Sequence, residues 1–241
     1  MMRTRKNPRL EGYDYSQGGT CFVTLCTADK QCLFGTVRTA AGGILTKTRQ
    51  NGRNTMTADK LETPRLLLRP FRESDGADVY EYAKDPAVGP IAGWRPHGSE
   101  AESREIIRTV FSAPGVFAME LKETGRVVGS VGFVGGHPAG KIPGCPDDEI
   151  GYALGRAYWG RGLVPEAVNA VLEYGFTDLG LSRIWCGHYA ANRRSAKVIG
   201  KCGFRYQFAK PTDVDLLGEI RQTYFYMQTK EDWRERVSGA L

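Results

Sequence analysis

The stretch Tyr158-Trp159-Gly160-Arg161-Gly162-Leu163-Val164-Pro165 has the composition of an anion-binding turn. A strand pattern, Glu149–Gly155, precedes it and a helical pattern from Val164 follows. The first amides of a helix have no internal partner and carry the positive end of its dipole, so a phosphate can sit there. Glycine lets the anion approach the backbone, and Arg161 adds a cation. The turn is not a Walker loop, since no Gly-Lys-Ser/Thr follows, and Pro165 breaks the Gly-x-Gly-x-x-Gly dinucleotide pattern. The same residues also suit a ligand-free turn between strand and helix. The cysteines and histidines suggest no metal chemistry. Cys21, Cys26, Cys32, Cys145, Cys186 and Cys202 form no CxxC pair, and His97, His137 and His188 lack ligand spacing, so no zinc is expected.

The elements that must position this turn are legible from residue periodicity. Pro64–Phe71 predicts a strand and Arg72–Pro86 a helix with Val79, Tyr82 and Ala83 on its apolar face. Ser99–Ser112 predicts a second helix opened by a Ser99/Glu102 capping box. A hairpin is expected over Gly115–Val134, then a proline-rich loop over His137–Asp148 and the strand Glu149–Gly155. Beyond the turn come a helix to Gly180, a strand over Ser182–Ala190, a short helix over Asn192–Gly203 and a closing strand over Arg221–Thr229, with a further strand possible at Phe204–Phe208. This βααβββαβαβ order describes a mixed α/β sheet with flanking helices.

Composition, 41% apolar and 25% charged, is that of an ordinary globular protein, with no apolar window long enough to span a membrane and no secretory leader. A cytoplasmic protein with reduced thiols is expected. The formal charge of +6 would suggest a nucleic-acid partner if it were spread over the chain. Residues 1–55 hold nine of the 33 Lys/Arg and three of the 27 Asp/Glu, leaving 24 of each in 56–241. The larger part is neutral, and nucleic acid is not expected as its partner. A Gly- and Thr-rich seam, Thr39–Lys60, marks the division, and Met56 is a natural start for the second unit.

Within the first unit, Arg9–Gly35 (RLEGYDYSQGGTCFVTLCTADKQCLFG) resembles the start of the REP-associated tyrosine transposases. The resemblance stops within about 50 residues, the family's His-x-His pair is absent, and Tyr13 and Tyr15 lie outside the position expected for its nucleophile. Residues 1–55 are read as a truncated, non-functional appendage and 56–241 as the working domain.

In that domain EIGYALGRAYWGRGLVPEAV, ANRRSAKVIGKCGF and GWRPHGSEAESREII together resemble the GNAT superfamily of acetyl-CoA-dependent N-acetyltransferases, in the branch of the RimJ/RimL-type ribosomal-protein acetyltransferases. The resemblance runs from Leu61 to Trp233 and implies a mixed, mostly antiparallel sheet of six to seven strands. It places the CoA pyrophosphate on Trp159, Gly160, Arg161, Gly162, Leu163, Val164 and Glu166, through backbone amides from Arg161 to Glu166. Val164 stands where Gly or Ala is usual. Asn192 would hold the pantetheine arm and Ser195 the CoA tail or its departing thiolate, although both could simply cap a helix. Arg193 and Arg194 are either phosphate ligands or, as preferred here, a solvated face.

The implied chemistry is transfer of acetyl to a primary amine, with acetyl-CoA as co-substrate and no metal. It needs a neutral amine, a polarised carbonyl and a protonated leaving thiolate. The Leu154 backbone N–H is assigned to the carbonyl and Glu149 to the base, its partly buried carboxylate raised toward neutrality. Trp94, His97 and Tyr152 are assigned to the acceptor pocket, Tyr152 and Tyr189 also as alternative acids and His188 as an alternative base. Asp147 and Asp148 would raise Glu149 further or attract a cationic amine. The expected acceptor is a protein N-terminal α-amine. The alternatives are a small amine (polyamine, aminoglycoside or amino acid) and a non-catalytic CoA-binding domain. The expected state is monomer or homodimer.

Overall fold

A computed structural model describes residues 60–239. The basic leader and its transposase-like reading lie outside the described residues. The described chain runs β1 (Leu61–Glu62), β2 (Leu66–Arg69), α1 (Gly76–Ala83), α2 (Gly89–Ala92), α3 (Glu100–Ile106) with a π-helical turn over Ile107–Phe111, β3 (Val116–Leu121), β4 (Arg126–Phe133) and β5 (Asp147–Leu154). It continues with α4 (Leu163–Thr177), β6 (Arg183–Tyr189), α5 (Arg193–Lys201), β7 (Arg205–Val214), β8 (Glu219–Thr229) and α6 (Lys230–Ser238).

The local signals explain most of these boundaries. Ser99 Oγ accepts the Glu102 N–H at 3.1 Å as the N-cap of α3. The Glu102 carboxylate closes on the Gly98 N–H rather than on Ser99, so the expected box is displaced by one residue. Asn192 Oδ1 caps α5 by accepting the Ser195 N–H at 3.1 Å. Three elements went unanticipated. The pair β1 is two residues long, α2 is a single turn stopped by Gly93 at φ 100°, and α6 opens with a Thr229/Asp232 capping box beyond the last apolar run.

The eight strands form one sheet in the order β1-β2-β3-β4-β5-β6-β8-β7. Relative to expectation β1 is the extra strand, and the strand held possible at Phe204–Phe208 is present as the ten-residue β7, which tolerates Pro211 because it is the sheet's edge. Helix α4 lays Leu163, Val168, Val171 and Leu172 on one face, against Phe117, Met119 and Ile150. Alternation along β5 sends Ala153 to the opposite face, where it packs with Val79 and Tyr82 of α1 and with Ile107.

One register feature sets up everything functional. All pairings are antiparallel except β5 with β6, which pair in parallel only at Asp147↔Arg183, Asp148↔Ile184 and Glu149↔Trp185. Past Glu149 the strands splay. β5 continues against β4 to Leu154↔Gly129, and β6 continues against β8 to Tyr189↔Thr223.

The bonds from Val134 N–H to Glu149 O (2.8 Å) and from Gly155 N–H to Val128 O (2.8 Å) fix the phase of the β4–β5 ladder. Both flank non-hydrogen-bonded pairs, so the N–H groups of Tyr152 and Leu154 turn away from β4 and into the gap.

Candidate active site

The gap opens into a cavity of about 350 Å³. Its walls are the end of β5 (Tyr152, Leu154), the start of α4 (Gly162, Leu163, Val164) and α5 (Asn192, Ser195). Gly160 and Gly162 both have positive φ, 77° and 78°, the conformation that glycine supplies without strain. The first intrahelical bond of α4 runs from Glu166 N–H to Gly162 O at 3.3 Å, leaving the amides of Leu163 and Val164 ahead of it. Pro165 removes a donor from a turn whose amides have no helical acceptor, so it costs α4 nothing. Val164 is 7% exposed and shares its side chain between core and cavity wall.

Trp159 closes the turn by donating Nε1–H to Leu154 O at 2.8 Å. The Arg194 guanidinium lies 4.4 Å over the Trp159 ring. Arg194, Lys197 and Lys201 all line the cavity, on one face of α5 at spacings of three and four. Val88, Ile91 and Ala92 add an apolar wall. Helix-end amides and three cations beside an apolar trough suit a phosphorylated head with a long, weakly polar arm, and acetyl-CoA fits that description.

Tyr152 and Ser195 meet across the gap, hydroxyl to hydroxyl at 2.7 Å. Burial, with the Cys186 thiol beside it, pushes the Tyr152 phenol well above its ordinary value, so it stays protonated. A smaller space of about 30 Å³, enough for a water, adjoins the main cavity and shares Tyr152, Asn192 and Ser195 with it. Gly151 and Gly187 line its other side.

Glu149 lies beside that space. It is 1% exposed, and its Oε1 has no hydrogen-bond partner among the described residues. A Cβ on Gly187 would lie 3.4 Å from Oε1, so the open oxygen lies against a glycine that lines the small cavity. Burial first, and the neighbouring Asp148 second, push the Glu149 carboxyl up to about 8. Asp148 is itself pushed up to about 7 by burial, against the N–H groups of Glu149 and Gly135 that its Oδ1 accepts at 2.7 Å. Asp147 serves the framework instead. It binds His137 Nδ1 (2.9 Å), Arg183 Nη2 (3.2 Å) and the Trp185 indole (2.8 Å), which also gives His137 a structural place.

Several expected site residues are placed elsewhere. Arg161 turns outward, 3.7 Å from Glu123 and over the Tyr158 ring, and only its carbonyl is used, by Arg65 at 2.8 Å. Glu166 spends its amide on Gly162 and its carboxylate on Thr63 (2.6 Å) and Arg65 (2.7 Å), anchoring β1–β2 to α4. Trp94 and His97 pack beneath α1 and α3, around a separate small cavity, with His97 Nδ1 2.8 Å from Ser103 Oγ. Burial lowers the His97 ring from its ordinary value. His188 is stacked between Tyr224 and Tyr226. The sequence reading missed Lys197, Lys201 and the α2 wall, and gave Arg194 to solvent. The spacing along α5 carried the first two. The α2 wall had no local signal, because a four-residue turn is too short for periodicity.

The chain matches the acetyltransferase (GNAT) domain over residues 65–205 and belongs to that family. It is therefore an acetyltransferase, with acetyl-CoA as the co-substrate the family implies. It is 29% identical over 181 residues to the uncharacterized N-acetyltransferase p20 of Bacillus licheniformis, covering 73% of this chain and 98% of that protein. Among solved structures it resembles a GNAT-family acetyltransferase from Bacillus anthracis (TM-score 0.62, 27% identity, 71% of this chain and 99% of that one). It also shares the fold of the ribosomal-protein-S5-alanine acetyltransferase from Vibrio fischeri (TM-score 0.56, 19% identity, 72% and 98%). No helix among the described residues is long and apolar enough to cross a membrane.

Proposed function

We propose that the protein acetylates a primary amine near neutral pH, and that its acceptor is a protein N-terminal α-amine. The observation that carries this is the Glu149 carboxyl, buried beside the splay with one oxygen unpaired and pushed up to about 8. An α-amine titrates at about 7.7–8.0, so proton transfer to Glu149 costs little, whereas a lysine at about 10.4 holds its proton some two units more tightly. The resemblance to the RimJ/RimL-type branch supports the same acceptor.

Bound acetyl-CoA would supply the activated acetyl thioester. Leu163 and Val164 amides, with Arg194, Lys197 and Lys201, would hold its phosphates, and Asn192 its arm. The Leu154 N–H, aimed into the gap, donates to the carbonyl oxygen as negative charge grows there. Glu149 Oε1 takes the amine proton, through a water in the small cavity. The Tyr152–Ser195 hydroxyl pair gives a proton to the departing sulfur. We assign the activity to residues 56–241 of a cytoplasmic monomer or homodimer, with 1–55 dispensable.

The test is CoA release from acetyl-CoA with a panel of acceptors: a peptide with a free α-amine, the same peptide N-blocked but carrying lysine, spermidine and an aminoglycoside. Release with the first and not the second supports the proposal. Release only with spermidine or the aminoglycoside would move the acceptor to a small amine. CoA binding without release for any acceptor would leave a non-catalytic domain.

A further inference from the structure

Glu149 is enclosed by two glycines and, beyond them, by one lysine that the acetyl-transfer chemistry does not use. Gly136, in the loop after β4, packs directly on the carboxyl: a Cβ there would overlap Oε2 and stand 2.8 Å from the Glu149 Cβ. On the other side, a Cβ on Gly187 would meet the Phe225 ring at 3.2 Å and Glu149 Oε1 at 3.4 Å, so ring and carboxyl border the same glycine.

Lys210, on β7, reaches both flanks. Its Nζ donates to the Pro138 carbonyl at 2.8 Å, two residues beyond Gly136. The same ammonium lies 5.8 Å from the centre of the Phe208 ring and 5.4 Å from that of Phe225. The rings are packed on each other at 5.3 Å, and Phe208 also meets Trp185 at 6.0 Å. The ammonium is therefore held by a carbonyl and two π faces, without a carboxylate bonded to it among the described residues.

We propose that Lys210 is a positioning residue for Glu149, clamping the Gly135–Pro138 segment over the carboxyl and balancing its negative charge once the proton has left. This rests on Glu149 being the proton acceptor proposed above. The other titratable groups around Glu149 oppose its ionisation or are already engaged. Asp148, beside it on β5, disfavours the carboxylate, while Lys210 favours it. The Cys186 thiol on β6 is itself pushed up by burial and by Glu149. His137, next along the loop, is bound to Asp147, which Arg183 also holds. Lys210 is thus the one cation, among the described residues, that interacts with Glu149 without a carboxylate of its own. A base with a raised proton affinity stays usable near neutrality because such a charge stands across from it.

The test is the titration of the Glu149 carboxyl in the full chain labelled with [δ-13C]glutamate, its resonance identified by loss in Glu149→Gln. Lys210→Met keeps the stem over Phe208 and Phe225 but deletes the charge, and Lys210→Gln keeps a donor for Pro138 in case the Met variant fails to fold. Either should raise the titration midpoint by about half a pH unit or more, and the rising limb of the kcat/KM profile for the free α-amine peptide should move with it. Lys210→Arg should keep both near wild type. An unmoved midpoint in the Met and Gln variants overturns the proposal. So does a Lys210→Arg midpoint shifted as far as theirs, since clamp and charge would then not explain it. A Glu149→Gln variant with full activity would instead overturn the base assignment, independently of where the midpoint lies.

Discussion

The hydroxyls of Tyr152 and Ser195 stand 2.7 Å apart and join β5 to the first turn of α5 across the gap where β5 and β6 separate. The phenol keeps its proton because burial raises it well above its ordinary value. Tyr152→Phe removes the phenolic hydroxyl of this pair, and Ser195→Ala removes its partner. Either should lower kcat by about 10- to 100-fold, as for loss of a general acid, with the KM for acetyl-CoA changed little. Steady-state kinetics with the free α-amine peptide decide this. A raised KM at unchanged kcat would make the pair a binding element only.

Glu149→Gln should lower kcat by roughly 10- to 1,000-fold and leave acetyl-CoA binding nearly intact. In the wild type, kcat/KM should rise with pH through about 8, as Glu149 loses its proton. The variant should lose that limb. A pH–rate profile of the two proteins reads it directly.

The same carboxyl makes folding depend on pH. Glu149 moves from 4.5 to about 8 on folding, so between those values the folded state keeps a proton that the unfolded state has lost. Stability is therefore greatest below about pH 4.5 as far as this group is concerned, and declines as pH rises toward 8, by on the order of 5 kcal/mol. Asp148, raised to about 7, adds a decline of the same sign. Urea unfolding at several pH values should show Glu149→Gln less sensitive than wild type over this window.

Gly136→Ala should damage the site by steric contact alone, since the added methyl overlaps the Glu149 carboxyl. Gly136 is not among the positive-φ glycines, so its backbone accommodates alanine. A cost of about 1–3 kcal/mol in stability is expected, with kcat down at least about 10-fold. Thermal unfolding and kinetics on one preparation separate the two effects.

Arg194→Ala and Lys197→Ala should each raise the KM for acetyl-CoA by about 5-fold, through loss of a cation beside the phosphate cradle. Arg161→Ala should change it by less than about 2-fold, because its side chain faces Glu123. An Arg161 effect larger than that of Lys197 would mean that the turn rearranges around the ligand.

Much of this site was readable beforehand, for local reasons. Gly160 and Gly162 declared a tight turn open to an anion, Val164 to Phe176 declared an amphipathic helix, and Asn192 with Ser195 declared a cap. In each case the decisive neighbours lie within four residues. Arg161 and Glu166 illustrate the limit. Their types suited a phosphate site, but Glu166 is held by Thr63 and Arg65, more than 100 positions away. No local pattern records that contact. Trp94 and His97 show the same limit, since packing against α1 and α3 places them around a separate small cavity.

By itself the sequence determined the strand–turn–helix that presents helix-end amides to an anion, the mixed α/β order and the charge neutrality of residues 56–241, because these follow from periodicity, turn chemistry and counting. Only the tertiary structure decided where β5 parts from β6, that the Leu154 N–H points into that gap, and that Glu149 is sealed between Gly136 and Gly187 within reach of Lys210. Those facts depend on strand register and on burial by distant segments, and a carboxyl's proton affinity is set by what surrounds it in space.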